Sequence, residues 1–115
     1  MISCSAYAQK STVIPTNSYA LELLDKRYLE ENNEIGEKEL VSSKVMALDL
    51  AEIYIKNYYG EKVANEQKPY LIADNQNEWI ITGQILQQPI LTAGGTFLIV
   101  ISKTDGKVIG LMHDR

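Results

Sequence analysis

Residues 42–60 read Ser42-Ser43-Lys44-Val45-Met46-Ala47-Leu48-Asp49-Leu50-Ala51-Glu52-Ile53-Tyr54-Ile55-Lys56-Asn57-Tyr58-Tyr59-Gly60. A helix turns about 100° per residue, and on that step Asp49, Glu52 and Lys56 share a narrow polar stripe. Met46, Ala47, Leu50, Ala51, Ile53, Tyr54, Ile55 and Tyr58 cover most of the remaining circumference. Ser42 or Ser43 supplies an N-cap hydroxyl, and Gly60 stands where a helix end calls for a positive φ. So wide an apolar arc predicts a helix buried on more than one side, wrapped by a curved sheet. Glu52 and Lys56 form an i, i+4 pair on the wet side, worth about 0.3 kcal/mol.

Beyond Gly60 the apolar period changes to two. Residues 68–73, 78–86, 96–103 and 107–113 are each rich in Ile, Val, Leu and aromatic side chains and each is bounded by turn residues, which predicts four strands. Asp74-Asn75-Gln76-Asn77 and Thr104-Asp105-Gly106 are hairpin connections, and the stretch from Gln88 to Gly94 is a longer one. Short connections enforce antiparallel neighbours. Trp79, Ile81, Gly83 and Ile85 point one way on the second strand, as do Phe97, Ile99 and Ile101 on the third. The opposite sides carry Ile80 and Thr82, and Leu98 and Val100, so the sheet is apolar on much of both faces. Gly83 and Gly110 inside strands predict bends or bulges that curve the sheet.

Upstream, Leu21, Leu24 and Tyr28 at i, i+3 and i+7 predict a helix over residues 18–31, capped by Asn17 or Ser18. An acidic connector containing Gly36 ends it. Residues 1–16 read as a signal-peptide remnant or disordered tail, leaving 17–115 as the folded domain. Ala6 and Ala8 before Gln9 fit the small-residue pattern of a signal-peptidase site, and Met1-Ile2-Ser3-Cys4 loosely fits a lipobox in which Cys4 would be acylated. Eight residues cannot hold a complete signal, so the expectation is a truncated export signal and a periplasmic or otherwise exported protein; the alternative is a cytoplasmic chain with a frayed tail.

The 115 residues suit one domain with one core, and 45% hydrophobic with 23% charged residues is a globular balance. A net charge of -4 argues against phosphate neutralisation, so no nucleic-acid partner is expected. One Cys and one His give no zinc-ligand set and no internal disulfide; neither metal nor cofactor is expected. No apolar run of about 18 residues predicts a transmembrane segment. The strand segments carry Lys68, Glu78, Lys103, Lys107 and His113 near their ends and nothing charged in their middles, whereas an enzyme site needs convergent ionisable groups in an apolar pocket.

The ordered set Ala51-Glu52, Tyr59-Gly60-Glu61, Gln67-Lys68-Pro69-Tyr70, Trp79-Ile80-Ile81-Thr82-Gly83, Gly94-Gly95-Thr96-Phe97 and Ile101-Ser102-Lys103-Thr104-Asp105-Gly106-Lys107-Val108, with His113, resembles the NTF2 fold immunity proteins of bacterial polymorphic toxin systems. The resemblance spans roughly residues 39–114. It implies an α+β fold, the NTF2-like or cystatin-like cone, in which N-terminal helices pack against a curved four-stranded antiparallel sheet. It also implies a non-enzymatic function: binding and neutralising a cognate toxin domain. The alternative is an NTF2-like small-molecule-binding or enzymatic domain with a ligand inside the cone. Asp49 and Tyr54 would be its acid/base candidates, but they fall on opposite sides of the helix. Between Glu22 and Glu52 nine acidic residues stand against four basic ones. The solvent-facing reading is a solubilising surface; the functional one is that Glu30, Glu31, Glu34, Glu37 and Glu39 bind and steer a basic toxin domain.

Overall fold

The computed structural model describes residues 13–85 and 95–114. The Ala6–Gln9 and Cys4 motifs, the 88–94 connection and Gly94 lie outside the described residues. The chain divides into two compact units, Met1–Glu34 and Ile35–Arg115.

The first unit holds two short helices, α1 (Tyr19–Leu23) and α2 (Lys26–Glu31), where the sequence pattern predicts one. The break has a local cause. Leu24 and Asp25 are extended, and the Asp25 carboxylate accepts a hydrogen bond from Tyr28 N–H at 3.1 Å, starting a new helix rather than continuing the old one. Ser18 stands at the N-cap of α1 without a side-chain cap bond, and it is Asn17 whose Oδ1 accepts from Ala20 N–H at 3.1 Å. Neither helix contains a buried residue.

The second unit begins its regular structure with α3 (Lys44–Tyr59), capped by Ser43, whose hydroxyl accepts from Met46 N–H at 3.1 Å. Gly60 ends it at φ 103°, ψ 161°, a conformation open essentially to glycine alone. The same residue starts α4 (Glu61–Glu66), a helix the sequence pattern does not reveal. Four strands follow: β1 (Leu71–Asn75), β2 (Glu78–Thr82), β3 (Phe97–Ser102) and β4 (Val108–His113), in a meander of order β1-β2-β3-β4 with every pair antiparallel. This is the expected α+β architecture, although β2 stops at Thr82, four residues before its predicted end.

On the helix side of the sheet Trp79, Ile81, Phe97, Ile99 and Ile101 are buried, and Ala47, Ala51 and Ile55 of α3 are buried against that layer. The prediction of a helix buried on several sides is corrected here. Only one narrow line of α3, at spacing i, i+4, i+8, is fully buried, Leu50 and Tyr54 are half-buried, and Val45, Ile53 and Tyr58 are exposed. Two alanines in that line let the helix backbone approach the sheet, so a single face suffices. The two strand glycines serve differently. At Gly110 the β3–β4 register slips, Val100 facing Gly110 and Ile101 facing Val108, which leaves Ile109 as the extra residue of a bulge that bends β4. Gly83 is instead a close approach: a Cβ there would meet the Gln67 side chain and, at 2.9 Å, the Phe97 ring.

Candidate functional site

The motif residues gather into three side-chain clusters, all within the second unit. The first is built on Gln67, a buried polar residue at the end of α4. Its carbonyl accepts from Gln84 N–H at 2.8 Å, and its Oε1 accepts from Phe97 N–H at 3.0 Å. Because a backbone N–H can only donate, that contact orients the amide and turns its NH2 toward His113 Nε2, 2.9 Å away. His113 Nδ1 then donates to Asp114 O at 2.6 Å, and Tyr59 stands edge-on to the imidazole, with ring centroids 5.3 Å apart. Gly95 lets the chain pass close to Asp114, whose N–H donates to Thr96 O at 3.0 Å. His113 thus joins α3, α4, β3 and β4.

The second cluster sits at the opposite end of β3. Trp79 Nε1–H donates to Val41 O at 2.9 Å, and the Lys103 ammonium lies 4.3 Å from the Trp79 ring centroid while bonding Asp74 Oδ1. Backbone bonds from Leu40 N–H to Thr104 O at 3.1 Å and from Val41 N–H to Lys103 O at 2.9 Å fasten the residues before α3 to the β3–β4 turn. Tyr54 donates its hydroxyl hydrogen to Gly106 O at 3.2 Å in the same turn. The hydrogen bond from Lys103, followed by its charge, holds the Asp74 carboxyl below its ordinary value of 3.8. A lowered native value stabilises the fold above pH 3.8, and that contribution is lost as pH falls through the native value. Asp74→Asn is therefore expected to lower the melting temperature at neutral pH, with the gap to wild type closing below about pH 4 in thermal melts across a pH series.

The third cluster centres on Glu52. Lys68 Nζ lies 2.7 Å from its Oε2 and Lys56 Nζ 3.4 Å from the same atom, so the simple helix-surface pair expected from spacing is in fact a bridge from α3 to the residues leading into β1. The Lys68 hydrogen bond is the main reason the Glu52 carboxyl is lowered. Nearby, Tyr70 donates to Ala64 O at 2.7 Å and packs edge-on against Phe97, centroids 4.8 Å apart. Burial, with the Glu52 charge adding to it, pushes the Tyr70 phenol up to about 12. Tyr70 is thus expected to stay protonated as ordinary tyrosines ionise near pH 10, which an ultraviolet absorbance titration compared with Tyr70→Phe would display.

In these clusters polar side chains hold elements together, and Asp49, Glu52, Lys68 and Tyr70 line one open groove beside α3. Asp49 is exposed while the Tyr54 hydroxyl is spent on a backbone carbonyl, so the acid/base pair considered from the sequence is not assembled. Among the described residues no three His, Cys, Asp or Glu side chains lie together as a metal site, and no helix is long and apolar enough to cross a membrane. Glu30 and Glu31 end α2, with Arg27 Nε 3.3 Å from Glu31 Oε2 on an exposed face; Glu34 closes the first unit. Glu37 and Glu39 belong to the second unit, and all five are exposed. Among the described residues, Gln67 and Lys103 are buried polar side chains that motif reading did not single out for their burial. Lys103 carried a signal, since it continues the inward series Phe97, Ile99, Ile101 at period two.

Comparison with known proteins bears on the same stretch. Over 89 residues the chain is 40% identical to the uncharacterized protein YhhH of Escherichia coli (strain K12), an alignment taking in 77% of this chain and 68% of that protein. It is 42% identical over 78 residues to the uncharacterized protein YbbC of the same organism, covering 68% of this chain and 62% of YbbC. The chain thus spans about two thirds of the length of these curated relatives. No solved structure matches it. The sequence profile described as NTF2 fold immunity protein matches residues 46–115, a stretch running from the first turn of α3 through β4 and containing most of the three clusters. On that match the chain belongs to the NTF2 fold immunity protein family.

Proposed function

We propose that this protein binds and neutralises a cognate toxin domain of a bacterial polymorphic toxin system by protein–protein contact, without catalysing a reaction. Family membership over residues 46–115 is the observation that carries the reading. The filled interior supports it over a ligand-holding cone: Ile81, Phe97, Ile99 and Ile101, which would line such a cavity, have no exposed surface, and α3 covers them. Co-expression with the cognate toxin domain is expected to restore growth that the toxin alone abolishes; continued killing at matched expression would overturn the reading.

The acidic residues Glu30, Glu31, Glu34, Glu37 and Glu39 are proposed to steer a basic toxin, raising the association rate more than the final affinity. Changing all five to Gln should slow association about tenfold at low salt and leave it nearly unchanged at 1 M salt, where the screening length is about 3 Å. Stopped-flow mixing at two salt concentrations measures this, and a rate indifferent to both salt and substitution would leave the segment as a solvated surface.

A further inference from the structure

Gln67 and His113 meet across 46 residues of chain in a contact whose chemistry turns on one proton. Gln67 is buried and held twice more: Gln84 N–H donates to its carbonyl at 2.8 Å, and Phe97 N–H donates to its Oε1 at 3.0 Å. Phe97 has no exposed surface, so turning the amide over would set a buried N–H against an NH2 and leave it without an acceptor. The amide therefore presents its NH2 to His113 Nε2 at 2.9 Å. An imidazole nitrogen accepts only while it carries no hydrogen. The ring hydrogen then sits on Nδ1, where Asp114 O, 2.6 Å away, accepts it. Unlike Gln67, His113 is exposed, within reach of a proton from solvent.

We propose that the Gln67–His113 pair is a pH-sensitive latch on the end of β4, closed while the imidazole is neutral and opened when Nε2 takes up a proton. An imidazolium has two N–H donors and no acceptor, so Nε2–H and the Gln67 NH2 face each other as donors. Gln67 cannot answer by turning, because Phe97 N–H holds its Oε1. The exposed side of the contact yields instead. The imidazole leaves α4 and takes with it the last residues of β4, where His113 stands opposite Phe97 and Asp114 N–H donates to Thr96 O at 3.0 Å. The groups around the ring leave that proton as the deciding charge. From α3 the Tyr59 ring meets it edge-on, while Lys56 is committed to Glu52. α4 carries Glu61, Lys62 and Glu66, with Lys62 Nζ 3.9 Å from Glu66 Oε2 on an exposed face. β3 holds no ionisable side chain, and β4 none besides His113. The Asp114 carboxylate, next in sequence, attracts an imidazolium and does not oppose its formation.

Heteronuclear NMR of the full chain reads the latch directly. Above the ordinary imidazole range the His113 side chain is expected to show Nδ1 protonated and Nε2 bare; the opposite tautomer would overturn the proposal. Amide hydrogen exchange, corrected for the intrinsic effect of pH, should then speed up at Asp114 at least about tenfold between about pH 7.5 and about pH 5.5, on either side of the ordinary imidazole value of about 6.5. Amides in the middle of α3 should keep their protection, which separates a local opening from loss of the fold. His113→Phe keeps a ring against Tyr59 and removes the titrating group, so its exchange at Asp114 should not respond to pH across this range. The wild-type acceleration persisting in His113→Phe would assign it to the carboxylates and overturn the latch. Gln67→Glu offers the imidazolium an acceptor where the amide offers a donor, and should reverse the trend, with slower exchange in acid than at neutral pH. Should that variant not fold, wild type against His113→Phe decides the matter, and a wild-type exchange rate at Asp114 indifferent to pH would equally overturn the proposal.

Discussion

Ile55→Asp is expected to leave the second unit largely unfolded at room temperature. Ile55 has no exposed surface and belongs to the buried cluster with Ala51, Ile81 and Ile99. A carboxyl group there has no donor to meet it and removes apolar volume from a packed interior, a cost of about 4 kcal/mol or more. Domains of this size hold about 5–15 kcal/mol in total. Ile53→Asp, two residues earlier on the same helix, should cost less than about 1 kcal/mol because that side chain is 59% exposed. Urea unfolding followed by circular dichroism compares the two, and equal midpoints would mean that α3 presents a different face to the sheet.

Trp79→Ala should approach the same severity by another route. Removing a buried indole costs about 3–5 kcal/mol as lost apolar contact and residual cavity. The change also leaves Val41 O without its donor and takes away the ring beneath the Lys103 ammonium, so the residues entering α3 lose a fastening to the sheet. Trp79→Phe separates these contributions: it keeps most of the volume and an aromatic face for Lys103 and forfeits the N–H bond, for an expected loss of about 1–2 kcal/mol. Chemical denaturation read by circular dichroism suits both, since Trp79 is the chain's one tryptophan. A Trp79→Phe as damaging as Trp79→Ala would show the hydrogen bond, not packing, to be the larger share.

The predicted α3 and four strands lie within a few residues of their observed bounds because their signals are local: a serine cap, a glycine stop, and apolar periods that switch from helical to two. The break at Asp25 escaped the same reasoning because a side chain that can cap a new helix competes with the apolar spacing that favours one continuous helix. The width of the buried arc on α3 was also beyond periodicity, which marks the residues that could be buried but not how many layers exist to bury them.

Sequence alone determined the alternation of β3, and with it the inward series from Phe97 to Lys103, because side-chain direction in a strand is fixed by covalent geometry at a period of two. It determined the apolar character of both sheet faces in the same way. Only the tertiary structure decided which face α3 covers, since either could have served on composition, and only it showed that Gln67, 30 residues from Phe97 and 46 from His113, completes their hydrogen bonds. Such partnerships depend on how the chain returns on itself, and at those separations neither spacing nor residue type records which donor will meet which acceptor.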